Sequence, residues 1–151
     1  MCDILREIYR NVFDEEYNYE KIDNRIKLQK TIYLMDKMGI SVGDYSFRLH
    51  EHGPYSLKLD IDSKEKFDSG DINFSASTQK AFAQVREIVN QAQTYPLENW
   101  LECVTTLHYL KEEWHLKPNK IFDKLVEIKD HLIDSDANKK AYNCLKLIQL
   151  C

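Results

Sequence analysis

Glycine is scarce and scattered: Gly39, Gly43, Gly53 and Gly70 are its four copies in 151 residues, and none lies near another in a phosphate-binding pattern. The chain therefore has no G-x-x-x-x-G-K-[ST] loop to cradle a nucleotide and no G-x-S-x-G elbow to expose a nucleophilic serine. Cysteine is sparse as well. Cys2, Cys103, Cys144 and Cys151 never fall in the C-x-x-C spacing that brings two thiolates onto one tetrahedral metal. Free thiols in a reducing compartment are expected, with Cys103 and Cys144 as small core hydrophobes and Cys2 and Cys151 exposed at the chain ends. No apolar run reaches the roughly 18 to 20 residues of a membrane span, and the opening MCDILREIYR carries charges where a leader would be apolar. A cytoplasmic protein, with no membrane contact, is expected. Excess positive charge is also missing. Lys and Arg number 21 against 25 Asp and Glu, a formal −4, with no basic stripe of the kind that dominant phosphate contacts require. Arg25, Lys27 and Lys30 stand close together, but a solvated helix face accounts for them more simply than a nucleic-acid surface.

What is present is ring surface and helical periodicity. Nine tyrosines, six phenylalanines and two tryptophans in a 43% hydrophobic chain are enough for one core, and the length suits one domain over residues 1–151. Ile4, Leu5, Ile8, Tyr9 and Val12 predict a first helix over about Cys2 to Phe13. A second opens at Asp23 or Asn24 as cap and runs to about Met38, where Gly39 closes it. On a wheel its Leu28, Ile32 and Met35 form one apolar ridge and Ile22, Ile26 and Tyr33 another, leaving Asp23, Lys27, Lys30 and Lys37 as a solvent-facing stripe. Arg25, Gln29 and Asp36 fall between the ridges, where each needs a partner or costs roughly 1 to 3 kcal/mol. They are candidates for holding a neighbouring loop.

Tyr45, Phe47 and Leu49 then alternate with Ser46, Arg48 and His50, a period of two that predicts a short half-buried strand leading into Glu51-His52-Gly53-Pro54. Residues 57–66 fit either a hairpin strand, through Leu57, Leu59 and Ile61, or a helix, and residues 62–73 read as a polar connection containing Gly70. Four helices follow: one capped by Ser77 or Thr78, one from Leu97 to about His115, one from Asn119 to Leu132, and one capped by Asp134 or Ser135. The expected fold is mainly α, a single-domain bundle of about six helices with a small β-strand or hairpin insertion after the second. Such insertions often carry a binding surface.

Chemistry-bearing patterns are thin. His50 and His52 would share a face if the strand continued, but zinc needs a third protein ligand and neither His108 nor His131 has a spacing that supplies it. Cys103 and His108, five apart on a helix, do not face each other as nucleophile and base, and Asp60 with Asp62 reads as a solvated connection. No catalytic residue, metal ligand or cofactor is assigned. Tyr17, Tyr19, Tyr45 and Tyr55 lie outside helix interiors, where amphipathic rings suit a protein interface.

The run Arg25-Ile26-Lys27-Leu28-Gln29-Lys30-Thr31-Ile32-Tyr33-Leu34, followed by His52-Gly53-Pro54-Tyr55-Ser56 and later by Trp100-Leu101-Glu102 with Leu107-His108-Tyr109-Leu110, resembles the YwgA-like family of bacterial proteins. It is also similar to the Panacea or SocA-like antitoxin domain. The matching positions are Lys27, Leu28, Gln29, Lys30, Tyr33 and Leu34, then Gly53, Pro54, Tyr55 and Ser56. The resemblance implies a cytoplasmic module that neutralises a toxin or serves as a proteolytic adaptor, and it brings no catalytic residue with it. Where the family continues after GPYS as a clear helix, residues 57–66 here are shorter and alternate. The expectation is a non-enzymatic protein-interaction module, binding a toxin, a protease or another protein through the strand and GPYS region together with exposed tyrosines. Arg25, Lys27, Gln29, Lys30, Tyr33, His50, His52, Gly53, Pro54, Tyr55 and Ser56 are its signature or partner-binding residues, and a homodimer stays open. Within it, the Gln29 amide, with Arg25, is expected to hydrogen-bond the backbone of the His52 to Pro54 turn. The alternative is a winged-helix-like transcriptional regulator with Arg25, Lys27, Lys30, Arg48 and Lys58 on phosphates.

Overall fold

The computed structural model describes residues 3–65 and 72–150. Cys2, Cys151 and Gly70 lie outside the described residues; of the connection expected over residues 62–73, residues 62–64 are instead the end of a helix. Among those described, seven helices and one hairpin occur in the order α1 (Ile4–Phe13), α2 (Ile22–Lys37), β1 (Arg48–His50), β2 (Gly53–Tyr55), α3 (Leu57–Lys64), α4 (Ala76–Asn90), α5 (Leu97–Glu112), α6 (Pro118–Ile128) and α7 (Ser135–Leu147). The mainly helical bundle with its insertion after the second helix is as the periodicity predicts. Among the described residues no helix is long and apolar enough to cross a membrane.

Two helices form the centre. α2 packs against α1, α3, α4, α5 and β2, while α5 packs against α2, α4, α6, α7 and β2. Every residue from Lys27 to Met35 and from Trp100 to His108 is consequently buried. This corrects the wheel reading of α2. Over that stretch the helix has no solvent stripe, so Lys27 and Lys30 are inside and must find partners there. Ile22, assigned to the second ridge, is instead exposed at the helix start, and Ile26 is only half-buried. The two central helices are joined by the Tyr33 hydroxyl, 2.7 Å from Nδ1 of His108. Burial lowers the His108 pKa to about 4, so its ring is neutral at pH 7.

Helix ends follow their caps. Asp3 accepts the Arg6 amide at 3.3 Å and starts α1. The cap expected at Asp23 or Asn24 is not there: α2 begins one residue after Lys21, and the buried Asn24 uses its Oδ1 to accept the Asn18 amide at 3.0 Å. At the other end Gly39, at φ +89°, gives the left-handed turn in which its amide reaches the Asp36 carbonyl and that of Ile40 reaches Met35. α4 is capped by Ser75, two residues before the expected site, and α7 by Asp134 as expected. α6 stops at Ile128, short of the predicted Leu132, which leaves Lys129 at its C-terminus.

The insertion resolves two alternatives. Residues 45–50 keep the period of two, with Tyr45, Phe47 and Leu49 half-buried and Ser46, Arg48 and His50 exposed, yet only Arg48–His50 enter a ladder. Their partner is the Gly53–Tyr55 strand, antiparallel in the register Arg48↔Tyr55, Leu49↔Pro54 and His50↔Gly53. Residues 57–64 are therefore helix, opened by Ser56, whose hydroxyl oxygen accepts the Leu59 amide at 3.3 Å. Leu59 and Ser63, four apart, face inward, while Leu57 and Ile61 are left 63% and 51% exposed. The alternation of Leu57, Leu59 and Ile61 reflects the two sides of one helix.

Candidate functional site

Three residue pairs are too few for a hairpin to stand alone in water. Side chains from one helix and one helix terminus hold this one. Gln29 on α2 donates from Nε2 to the Ser56 carbonyl and accepts the Ser56 amide on Oε1, both at 2.9 Å and both buried. Lys30, one residue on, donates from Nζ to the Pro54 carbonyl at 2.8 Å. Lys129, beyond α6, donates to the carbonyls of His50 and Glu51 at 2.5 and 2.6 Å. Each bond satisfies a backbone group that a short ladder leaves over.

The fully buried Glu102 on α5 supplies the counter-charge. Its Oε1 lies 2.9 Å from Nε2 of His131, and its Oε2, which has no hydrogen bond, lies 3.5 Å from Nζ of Lys129. Burial pulls the Lys30 pKa down to about 7, against the opposing pull of Glu102 and with a further push from Lys129. Gly53 makes the close approach to α5 possible. It sits at φ +92°, and a Cβ there would stand 2.8 Å from Oγ1 of Thr106 and 3.3 Å from Cγ of Glu102.

The GPYS signature is thus inside the fold, with Gly53, Pro54 and Ser56 buried and Tyr55 half-buried. Gln29 does bind backbone, at Ser56 and not at the His52 to Pro54 turn; Lys30 takes Pro54, and Arg25 joins neither bond. Tyr33 stands apart at the α2–α5 seam, and Lys27 pairs with Glu15 at 2.9 Å on the α1 side. The strand ends at His50, whose exposed ring packs on Tyr55 with centroids 4.9 Å apart, so it does not share a face with the half-buried His52. Among the described residues no three His, Cys, Asp or Glu side chains converge on a possible metal position. The tyrosines expected to be exposed are not: Tyr17 is buried and bonds Ser63, Tyr19 is half-buried, and half-buried Tyr45 and Tyr55 donate to Asp62 and Asp60. Hydroxyls outside helix interiors have found carboxylate or serine partners, which draws their rings inward. The phosphate-contact set loses members for a like reason, since Lys27 and Lys30 are engaged inside and the Lys58 ammonium lies 5.2 Å over the Tyr45 ring.

Sequence reasoning missed Lys129, Thr106 and the role of Glu102. One signal was available for Glu102: a lone carboxylate between Leu101 and Cys103 in a helix that is apolar around most of its circumference.

Beside the clasp the hairpin and α2 diverge and leave a cleft of about 240 Å³. Ile22, Arg25 and Ile26 of α2 line it together with Glu51, His52, Tyr55 and Asp60 from the hairpin and α3. The Arg25 guanidinium carbon lies 5.0 Å over the Tyr19 ring, and its Nε is buried with no hydrogen-bond partner.

Comparison with known proteins finds no matching family model, no matching curated protein and no matching solved structure.

Proposed function

We propose that the chain is a non-enzymatic protein-interaction module of the cytoplasm, antitoxin-like or adaptor-like, that offers the outer side of the hairpin and of α3 to a protein partner. The observation that carries this reading is the pairing of a hairpin locked from within by Gln29, Lys30 and Lys129 with two exposed aliphatic side chains, Leu57 and Ile61, on the helix that leaves it. Lys30 and Lys129 are occupied in holding the hairpin's backbone carbonyls. Exposed aliphatic residues beside a fixed backbone are what a partner can bury without ordering a loop first. The resemblance of the KLQK and GPYS runs to the YwgA-like and SocA-like families supports the same reading.

The test is affinity capture of the tagged protein from its native cytoplasm, with nuclease present, for the unmodified chain and for Leu57→Asp/Ile61→Asp. The reading expects one stoichiometric protein that survives nuclease and is lost from the double variant, whose far-ultraviolet circular dichroism and melting stay unchanged. Recovery of nuclease-sensitive DNA with no protein partner would replace it with the regulator reading. Equal retention by the double variant would move the interface elsewhere.

A further inference from the structure

Arg25, like Lys27, takes no part in the clasp, but unlike Lys27 it has no carboxylate partner among the described residues. Its Nε is buried without an acceptor, and its guanidinium carbon lies 5.0 Å over the Tyr19 ring. A guanidinium stacked on a ring is pre-oriented, and little rotamer freedom is left to lose when a planar anion binds in its fork. Around it the cleft is chemically mixed. Ile22 and Ile26 add half-buried to exposed aliphatic surface, while Asp60, bonded to the Tyr55 hydroxyl, and Glu51 also line the cleft. Two carboxylates in the lining repel a polyanion such as a nucleic-acid backbone, yet they suit the amide N–H groups of a peptide that carries a single acid. The volume of about 240 Å³ falls below the roughly 300 to 1,000 Å³ of ordinary small-molecule sites and suits one or two side chains.

We propose that this cleft is a peptide-anchoring site in which Arg25 takes the carboxylate of a partner's glutamate side chain, Ile22 and Ile26 take an adjoining aliphatic side chain, and Asp60 and Glu51 receive backbone N–H groups. The proposal rests on the protein-module reading, because it names the chemistry of the partner, but it uses a surface distinct from Leu57 and Ile61.

The test is a nuclear magnetic resonance titration of the full chain with the blocked peptide acetyl-Leu-Glu-Leu-amide, following the Arg25 Nε–H and the methyls of Ile22 and Ile26. Acetyl-Leu-Gln-Leu-amide and sodium acetate serve as the comparison probes. The expected result is saturable shifts at these three residues, with affinity lower by roughly 10- to 100-fold for the glutamine peptide and for Arg25→Gln, as loss of a charge-assisted hydrogen bond implies. Arg25→Lys should recover only part of this, since it keeps the charge and loses the planar fork. Equal binding of the glutamate and glutamine peptides would overturn the proposal in favour of a merely apolar groove. Acetate binding as tightly as the peptide would reduce the site to an anion contact, and no shift in the cleft would remove it. Failure here is separable from failure of the module reading: a partner captured by Arg25→Gln as well as by the unmodified chain sinks the anchoring site alone. Peptide binding in a chain that captures no partner leaves the site and removes the module.

Discussion

Gln29 places both ends of its amide on one residue, so Gln29→Ala strands the amide and carbonyl of Ser56 in a buried setting. The expected loss is about 1 to 3 kcal/mol in urea unfolding, with the denaturant slope unchanged. Gly53→Ala should be worse than Gly39→Ala, although both residues sit at positive φ. At Gly39 nothing lies within 4 Å of an added Cβ, whereas at Gly53 the methyl meets Thr106 and Glu102. Paired thermal melts of the two variants check the order. His108 sets an acid limb. Its folded pKa, about 4, is below the usual 6.5, so the unfolded chain takes up the proton first and stability falls as pH drops through that interval. The full effect is about 3 kcal/mol, and His108→Gln should flatten the part between about pH 6.5 and 5, above the range in which Glu15 responds. Lys30 acts on the other side: its proton is lost early in the fold and late in the unfolded chain, so its contribution rises with pH above about 7. Gln29 was legible from its place between two apolar ridges. Lys30 was not, because a lysine in a helical pattern reads as solvated until the elements around it are known.

The hairpin is the element whose stability is borrowed. Lys129→Met removes both ties to the His50 and Glu51 carbonyls and takes from Glu102 the ammonium 3.5 Å from its Oε2. Breaking a buried pair in this way costs about 3 to 5 kcal/mol, and the variant should lower the melting temperature while the helical circular dichroism of the remaining fold is kept. No local pattern announces this contact, since Lys129 and His50 are 79 residues apart and meet only because α6 ends at Ile128. Helix existence was plain from periodicity in six of the seven helices. α3 was ambiguous because its inward residues, Leu59 and Ser63, include only one hydrophobe, and the outward Leu57 and Ile61 mimic a strand. The Ser56 cap was the local clue that separates the two.

On the scale of the whole molecule, the middle stretches of the two central helices are buried, and the hairpin with α3 is a place where exposed aliphatic surface and fixed backbone adjoin. The fold class and the hairpin's position were readable in the sequence because both depend on periodicity and turn chemistry. The roles within the site were not, because they depend on which helices cover α2, and that follows from long-range packing. The account stands on the hairpin being held by side chains from α2 and Lys129 more than by its own ladder. The most direct test is native-state amide hydrogen exchange at Ser56 in the unmodified chain and in Gln29→Ala. The account predicts that the Ser56 amide is protected nearly as well as the amides of α5 in the unmodified chain. In the variant it should exchange at least about tenfold faster relative to α5. Rapid exchange at Ser56 in the unmodified chain, or the same relative protection in Gln29→Ala, would contradict it.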